Sequence, residues 1–237
     1  EKTCIGIWKE FQKLGVEMDV VSSNDDLSDY KVVVAPMLYL LQSGTAENLQ
    51  KFVKNGGQLL ATYFTGYVDK DTLCYLGGFP GDGLAELFGV ISEEIDTLYP
   101  SDRNSLCFLD GKKWTVYDYA EILRVQDAQI LASYGTDFYE GSAALTVKEW
   151  ESDTHTGENG RAYYIAARVA PEEMGSLFET MLANAGIAVK DLPGEVEYHQ
   201  RQGEDTTYEF YLNHGKEKSL IKNVTGRNLL TGEDINE

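Results

Sequence analysis

The stretch 30–66 (YKVVVAPMLYLLQSGTAENLQKFVKNGGQLLATYFTG) limits the possible folds of this chain more than any other part of its sequence. It opens with a short apolar run, 30–35, which is rich in β-branched residues and ends at Pro36. Such a run is typical of a strand buried on both faces of a parallel sheet. Residues 58–64 form a second run of this kind. The stretch therefore predicts two neighbouring strands of an α/β sheet.

A helix is predicted between these two strands. Apolar side chains recur at helical spacing within 46–55. Thr45 is placed to cap the helix, and the two glycines at 56–57 are placed to end it. The unit is strand, helix, strand, and we predict an α/β fold for residues 1–190.

The carboxyl ends of the two strands lack catalytic groups. In open α/β sheets, ligands bind beyond these ends, and an enzyme places its acid, base or nucleophile there. Residues 36–38 (PML) and 65–67 (TGY) stand there instead. Aromatic residues cluster at the second strand end and in the loop after it: Tyr63, Phe64, Tyr67, Tyr75 and Phe79. Such residues stack on sugars, line a subunit contact or pack in a core. Our candidate interface residues are Tyr67, Tyr75 and Phe79.

The composition excludes two classes of partner. The 237 residues are 43% hydrophobic, which suffices for a buried core. The formal net charge is −19 and no cluster of Lys or Arg interrupts it, so we expect no nucleic acid and no membrane as partner. The sequence has neither a run of about twenty apolar residues nor a basic-then-apolar leader. It does not begin with Met, and we interpret it as a piece of a longer protein.

The cysteines predict neither a disulfide framework nor a zinc knuckle, because Cys4, Cys74 and Cys107 are odd in number and widely spaced. We expect buried free thiols, a reducing compartment and a cytoplasmic location. No group of His, Cys and Asp residues has the spacing of a metal site, so we predict no metal and no cofactor.

Apolar periodicity and turn residues also predict the elements in the rest of the first domain. We expect helices at 7–14, 84–88 and 172–185, a strand at 16–21 and a buried strand at 162–167. Four short segments separated by turns are typical of an antiparallel excursion: 105–109, 114–116, 130–134 and 143–147.

A linker at 192–194 (LPG) precedes a second, small β domain that we predict at 194–237. Its short alternating segments, with turns at Gly203, 213–215 and Gly226, are typical of a β-sandwich. About forty-five residues are too few for a sandwich to bury its own core. We expect this module to be incomplete or to lean on the first domain.

Two motifs are candidates for binding or catalysis. The glycine-rich loop 77–83 lacks the Gly-Lys-Ser/Thr ending of a phosphate cradle, and Pro80 removes one amide from it, so we interpret it as a structural turn. Glycoside hydrolysis needs two carboxyl groups, and Glu93, Glu94 and Asp96 are close in sequence. Neighbouring acids in an acidic protein are more often a solvated face or the start of a helix.

Cys74 is the cysteine nearest the predicted strand ends, and a thiol nucleophile needs a nearby His base. The three histidines lie far along the chain, at His155, His199 and His214. A buried structural Cys74 is therefore the favoured interpretation.

Several runs covering nearly the whole chain carry a family resemblance. They are 14–21 (LGVEMDVV), 26–40 (DLSDYKVVVAPMLYL), 47–49 (ENL), 56–60 (GGQLL), 62–66 (TYFTG), 76–81 (LGGFPG), 157–166 (GENGRAYYIA) and 229–233 (LLTGE). In these runs the chain resembles the bacterial β-galactosidases of glycoside hydrolase family 42.

The resemblance implies a polypeptide with a catalytic TIM barrel bearing two glutamates, an α/β trimerisation domain and a small β domain. Only the last two match this chain, so no catalytic residue is carried over to it. The implied fold is a flavodoxin-like or class I glutamine amidotransferase-like parallel-sheet domain with a small C-terminal β-sandwich-like module. The implied function is non-catalytic assembly of a homotrimer. The parent would be a retaining enzyme that hydrolyses terminal β-D-galactosides in carbohydrate metabolism.

Two other functions stay open at this point. A stand-alone amidotransferase-like enzyme would use Cys74 as its nucleophile, although Leu73 and Tyr75 stand where a Gly-x-Cys-x-Gly elbow has glycines. A carbohydrate-binding module would use Tyr and Trp residues as a sugar platform.

Overall fold

The computed structural model describes residues 2–76, 78–152 and 158–236 of the chain. Gly77, His155 and Gly157, which belong to motifs named above, lie outside the described residues. Within the described ranges, no helix combines the length and the apolar character needed to cross a membrane.

The helices follow the predicted apolar periodicity. They are α1 Lys2–Lys13, α2 Thr45–Lys54, α3 Leu84–Phe88 and α4 Gly175–Asn184, and a 3-10 turn, Pro171–Met174, precedes α4. The expected cap of α2 is wrong: Gly44 occupies the cap position in a left-handed conformation without a side-chain bond. The Thr45 hydroxyl instead donates to Oδ1 of Asn24 at 2.9 Å. It therefore ties α2 to the loop before β1 rather than to its own first turn.

The strands form one large sheet and three small ones. In chain order they are β1 Val32–Ala35, β2 Leu40–Leu41, β3 Gln58–Thr62, β4 Val68–Asp69, β5 Val90–Thr97, β6 Asn104–Phe108, β7 Lys113–Val125, β8 Gln129–Tyr134, β9 Ala143–Trp150, β10 Gly160–Ile165, β11 Ala167–Val169, β12 Val196–Gln202, β13 Thr207–Asn213, β14 Thr225–Arg227 and β15 Asp234–Asn236. The large sheet has the order β1-β3-β10-β9-β8-β6-β7-β11, with β5 beside β7.

Helices cover both faces of the neighbouring strands β3 and β10. One face presents Leu60, Tyr163 and Ile165 to a core shared with α1 and α4. The opposite face presents Leu59 and Tyr164 to a core shared with α2 and α3. Every residue of β3 is buried as a result. These two strands are the centre of a three-layered α/β arrangement.

The antiparallel strands continue the same sheet and curl back onto it. β10 and β11 are separated by Ala166 alone, so the path β10-β9-β8-β6-β7-β11 begins and ends on one chain segment. Tyr134 on β8 spans this ring of strands, because its hydroxyl lies 3.0 Å from the carbonyl oxygens of both Glu121 on β7 and Ala166. The closure brings the middle of β7 to the carboxyl ends of β3 and β10.

The α/β class is confirmed, but the parallel sheet is smaller than expected. Among the described strands of the large sheet, β1, β3 and β10 pair in parallel, and the others pair antiparallel. The four short segments predicted within 105–147 all lie in antiparallel strands, as expected, and these strands belong to the main sheet. The parallel part of the large sheet is therefore limited to three strands, and the flavodoxin-like or amidotransferase-like assignment stays a prediction.

Two strand predictions near the N-terminus need correction. Residues 16–21 are irregular, and Val20 on this segment is 95% exposed. Alternating apolar residues form a strand only where they pair with another strand, and no described strand pairs with this segment, although the outer edge of β1 is open. β1 itself lies at the edge of the sheet, so it is half-buried rather than covered on both faces.

The residues after 194 form two hairpins instead of a sandwich. β12 pairs with β13, and β14 pairs with β15, each as a separate two-stranded sheet. β12 leans on the first domain, since the backbone N–H of Gln200 donates to Oε1 of Glu17 at 2.7 Å. Lys190 holds the other strand, because its Nζ donates to Oε1 of Glu209 at 2.8 Å. The domain boundary at 190–194 stays a prediction.

Candidate functional site

Two loops lie side by side at the carboxyl ends of β1 and β3. The backbone N–H of Met37 donates to Oγ1 of Thr62 at 2.9 Å. The N–H of Gly66 donates to the carbonyl oxygen of Leu38 at 2.8 Å, and the ladder of β2 with β4 continues the contact. Because each loop satisfies backbone groups of the other, the pair has one defined geometry.

The loops carry a continuous set of aromatic rings, which we call the aromatic face: Tyr39, Phe64, Tyr67, Tyr75 and Phe79. Tyr67 lies at its centre, and its ring centroid is 5.4 Å from that of Tyr39, 5.3 Å from Tyr75 and 5.0 Å from Phe79. These separations are typical of favourable aromatic pairs. The structure thus brings together four of the five aromatic residues singled out in the sequence and adds Tyr39 to them. The fifth, Tyr63, is buried beside this face, with its ring centroid 5.4 Å from that of Phe64.

The outer part of the aromatic face is open to solvent. Tyr39 and Tyr75 are 43% and 56% exposed, and Met37 and Leu73 in the same loops are 39% and 63% exposed. A group of large exposed apolar side chains is typical of a contact surface. Among the three candidate interface residues, Tyr75 offers surface and Tyr67 is half-buried. Phe79 is buried and supports the ring of Tyr67 from below.

Three non-glycine residues of these loops have positive φ angles: Met37 at 47°, Phe64 at 63° and Leu73 at 54°. Bulky residues adopt this conformation rarely, at a cost of about 1–3 kcal/mol each, and it persists only where the surrounding structure imposes it. Gly66 has φ 70°, and a Cβ there would lie 3.0 Å from the backbone nitrogen of Gly81. The shape of the aromatic face is therefore held by its neighbours.

A buried carboxyl group lies directly beneath this face. Glu121 on β7 is 0% exposed. Its Oε1 accepts the backbone N–H of Phe64 at 2.6 Å, and its Oε2 accepts the hydroxyl of Tyr164 at 2.7 Å. The backbone N–H of Glu121 donates to the carbonyl oxygen of Ala166 at 2.7 Å. One residue thereby joins the ends of β3 and β10 to β7.

The carboxyl group of Glu121 is held in an apolar environment. Burial raises its pKa to about 8, against the opposing effect of the hydrogen bonds from Phe64 and Tyr164. Among the described residues, no ion pair involves it. We did not anticipate Glu121 from the sequence. The available signal was one acidic residue within the otherwise uncharged segment 119–123 (YAEIL).

Cys74 does not occupy the position of a strand-end nucleophile. It is exposed rather than buried and lies in an irregular segment, whereas Phe64 makes the sharp turn after β3. Cys4 is also exposed and Cys107 is half-buried, so the expectation of buried thiols is wrong. The described histidines lie on the C-terminal hairpin and just after it. His199 and His214 contact the two carboxylate oxygens of Glu197 at 2.9 and 2.6 Å.

The other two candidate motifs have structural partners. In the glycine-rich loop, the N–H of Gly81 donates to the carbonyl of Gly66, and that of Ser92 donates to the carbonyl of Phe79, as in a structural turn. The three acids lie on strand β5 and not at the start of a helix. Glu93 pairs with Arg124 at 2.6 Å, Glu94 is exposed, and Asp96 accepts the hydroxyl of Tyr139 at 2.9 Å.

Concave regions lie away from the aromatic face. A pocket of about 340 Å³ lies between residues 26–31 and the end of α2. A groove of about 800 Å³ lies between α4, strands β8 to β10 and the hairpin of β6 with β7. Within the described ranges, no group of three or more His, Cys, Asp or Glu residues is arranged to hold a metal ion.

Fold and site together define an α/β domain that carries a preorganised, partly exposed aromatic face. The family model described as "Beta-galactosidase trimerisation domain" matches residues 3–188. The chain belongs to this family, the trimerisation domains of glycoside hydrolase family 42 β-galactosidases.

Relatives of known sequence are β-galactosidases of bacteria. The chain is 36% identical over 245 residues to a β-galactosidase of Clostridium perfringens, and the match covers 99% of this chain and 34% of that protein. It is 37% identical over 222 residues to a β-galactosidase of Alicyclobacillus acidocaldarius, covering 90% of this chain and 31% of that protein. The chain therefore spans about a third of the length of these relatives.

Solved structures give the same family. The β-galactosidase from Bacillus circulans sp. alkalophilus matches with a TM-score of 0.89 and 29% identity, over 99% of this chain and 35% of that one. Gan42B, a GH42 β-galactosidase, matches with a TM-score of 0.87 and 32% identity, over 99% of this chain and 34% of that one. A catalytic mutant of Gan42B, a GH42 β-galactosidase from G. stearothermophilus, matches with the same TM-score and identity.

Proposed function

We propose that this chain is the assembly region of a β-galactosidase and that it joins three copies through the aromatic face. The observation that carries the proposal is the combination of exposed Tyr39 and Tyr75 with loops fixed in strained conformations. Tyr, Phe and Met are enriched at protein contacts, and a preorganised surface loses little entropy on binding. The family that the chain belongs to is itself described as a trimerisation domain.

The charge of the chain supports the choice of this surface. Each copy carries a formal charge of −19, so copies repel one another at long range. Association is then favoured where a surface is apolar enough to offset that repulsion over a short distance. The aromatic face supplies such an area, because the ring-bearing parts of its two loops contain Tyr, Phe, Met and Leu side chains.

The catalytic reaction belongs, in this proposal, to another part of the same polypeptide. Relatives are β-galactosidases about three times as long as the match, which leaves room for a separate barrel domain. We assign the hydrolysis of terminal β-D-galactosides, with retention, to that barrel, and a cytoplasmic location to the whole protein. The chain on its own is expected to bind other copies without turning over substrate.

Sedimentation equilibrium of the 237-residue chain tests the assembly. We expect a species of three times the 26.4 kDa monomer mass at micromolar concentration. Tyr75→Ala should raise the dissociation constant about thirtyfold, as loss of an aromatic side chain that becomes buried between copies does. Tyr99→Ala is the matched control, because Tyr99 is 76% exposed in the loop between β5 and β6. A monomer at the highest soluble concentration, or equal effects of both variants, contradicts the proposal.

A second measurement addresses catalysis. Incubation of the chain with a chromogenic galactoside should release no product above the buffer blank. Turnover that disappears in Glu93→Gln or Glu94→Gln would place the reaction on this chain and overturn the assignment to a barrel.

A further inference from the structure

Phe64 is the residue of the aromatic face with the most constrained backbone. Its φ angle is 63°, which an aromatic side chain rarely adopts. Its ring is surrounded by other rings, with centroids 5.1 Å from Tyr119, 6.4 Å from Tyr39 and 6.3 Å from Tyr67. If the backbone at 64 relaxed to negative φ, the ring would leave this position, and Tyr39 and Tyr67 would lose a common neighbour.

The contact that opposes this relaxation comes from beneath the face. The Phe64 N–H donates to Oε1 of Glu121 at 2.6 Å, and Glu121 is itself fixed by the hydroxyl of Tyr164 at 2.7 Å and by its own backbone bond to Ala166 at 2.7 Å. Both Glu121 and Tyr164 are 0% exposed, so water does not compete for these bonds. The neighbouring N–H of Tyr63 donates to the carbonyl of Ile165 at 2.7 Å.

We propose that Glu121 is the positioning residue of the aromatic face: its buried side chain holds the backbone of Phe64 in the left-handed conformation and thereby sets the surface that joins the copies. This inference rests on the proposed function, in that it explains how the contact surface is shaped. Glu121 itself touches no partner. It acts through Phe64, whose ring lies between the exposed Tyr39 and the half-buried Tyr67 and Tyr119.

Three variants separate positioning from general stability. Glu121→Gln keeps the shape and an oxygen that accepts the Phe64 N–H, whereas Glu121→Ala removes the acceptor. Leu182→Ala is the control, because Leu182 is 0% exposed on α4 and its truncation destabilises the core shared with α1. For each variant we would measure the dissociation constant by sedimentation and the hydrogen exchange of the Phe64 amide by NMR.

We expect Glu121→Ala to raise the dissociation constant about tenfold more than Leu182→Ala does, at equal fraction folded, and Glu121→Gln to stay near the wild type. The Phe64 amide should exchange about a hundredfold faster in Glu121→Ala than in the wild type or in Glu121→Gln. An unchanged exchange rate in Glu121→Ala overturns the proposal, and so does association as tight as that of Leu182→Ala.

The two proposals fail in different ways. A monomeric wild type refutes assembly through this face, while the Phe64 exchange rates still decide whether Glu121 positions it. If Glu121→Ala does not fold, a pH titration of the wild type, followed by NMR, tests the positioning role instead. The Phe64 amide proton should then change its chemical shift in step with the side-chain carboxyl carbon of Glu121, and independence of the two signals overturns the positioning role.

Discussion

Strand β3 and the hairpin of β12 with β13 are both short β elements rich in apolar residues, yet the structure holds them in opposite ways. All five residues of β3 are buried between two helical layers. None of the seven residues of β13 is buried, and Tyr208, Phe210 and Leu212 lie open on one face of the hairpin. On the other strand of the hairpin, β12, Val196 and Tyr198 are buried, and polar contacts hold the rest of the hairpin.

These polar contacts are few and partly solvated. Arg201 donates to both carboxylate oxygens of Glu17 at 2.7 Å. Lys190 lies 3.9 Å from the centroid of the Tyr198 ring and is tied to the first domain by its backbone bond to Leu14. Exposed ion pairs contribute about 0–1 kcal/mol each, whereas a buried Leu side chain contributes about 2–3 kcal/mol. From this comparison we expect β3 to set the global stability and the hairpin to open locally.

The largest expected effect is a pH dependence of the free energy of unfolding that comes from Glu121. Its side chain accepts the backbone N–H of Phe64 just after β3. Its pKa is raised from 4.5 to about 8 in the folded chain, mainly by burial. The folded state therefore keeps a proton that the unfolded state releases. The stabilisation is complete below pH 4.5 and is lost as the pH rises towards 8, by an amount on the order of 5 kcal/mol.

Urea unfolding between pH 5 and pH 9 measures this loss. Glu121→Gln cannot ionise, so its free energy of unfolding should fall much less than that of the wild type as the pH rises. The hairpin holds no comparably buried acid, and Glu209→Gln is the control there. Parallel pH profiles for the wild type and Glu121→Gln would show that the buried carboxyl does not control stability.

The next largest effect contrasts one leucine in each region. Leu60 is 0% exposed in β3, and Leu60→Ala should lower the free energy of unfolding by about 3 kcal/mol through the cavity it creates. Leu212 is 43% exposed on β13, and Leu212→Ala should change the free energy of unfolding by less than about 0.5 kcal/mol. The midpoints of urea unfolding, measured on both variants and the wild type, test this difference. Similar losses for the two would mean that the hairpin unfolds together with the sheet.

The same contrast explains what the sequence could predict. The strands β3 and β10 were predictable, because burial on two faces leaves an unbroken apolar run in the sequence. The helix α2 was predictable from the helical spacing of its apolar residues. The aromatic cluster could be predicted from its position after a strand. Segment 16–21 has the apolar alternation of a strand but pairs with no described strand, and the local sequence does not show whether a pairing partner is available. A sandwich at 194–237 failed for a related reason: each hairpin satisfies its own pairing.

Glu121 shows why the centre of the site was not predictable. Its role depends on the closure that brings β7 to residues 64 and 164, a contact across 57 positions for Phe64 and 43 for Tyr164. No local pattern encodes such a contact. The positive φ angles of Met37, Phe64 and Leu73 were equally hidden, because these residue types do not favour that conformation and the neighbouring loops impose it.

A smaller effect is expected from Lys190, which joins the hairpin to the first domain. Lys190→Ala removes its contact with the Tyr198 ring and its bond to Glu209, which together are worth about 1 kcal/mol. Amide hydrogen exchange should become about fivefold faster in β12 and β13 and stay unchanged in β3. Lys54→Ala is the control, since Lys54 lies 5.4 Å from the Trp150 ring, outside the hairpin. Faster exchange in β3 would contradict independent opening.

The smallest expected effect is a response to salt that has opposite signs in the two regions. Copies with a formal charge of −19 repel, so raising the salt from low concentration to about 0.15 M shortens the Debye length to about 8 Å and should tighten association several-fold. The same salt weakens the attraction between Glu17 and Arg201, which should speed exchange in β12 about twofold. Sedimentation and hydrogen exchange, each measured in the same two buffers, follow both responses. Weaker association in salt would show that charge pairs dominate the contact between copies, and the aromatic face would then not be the surface that joins them.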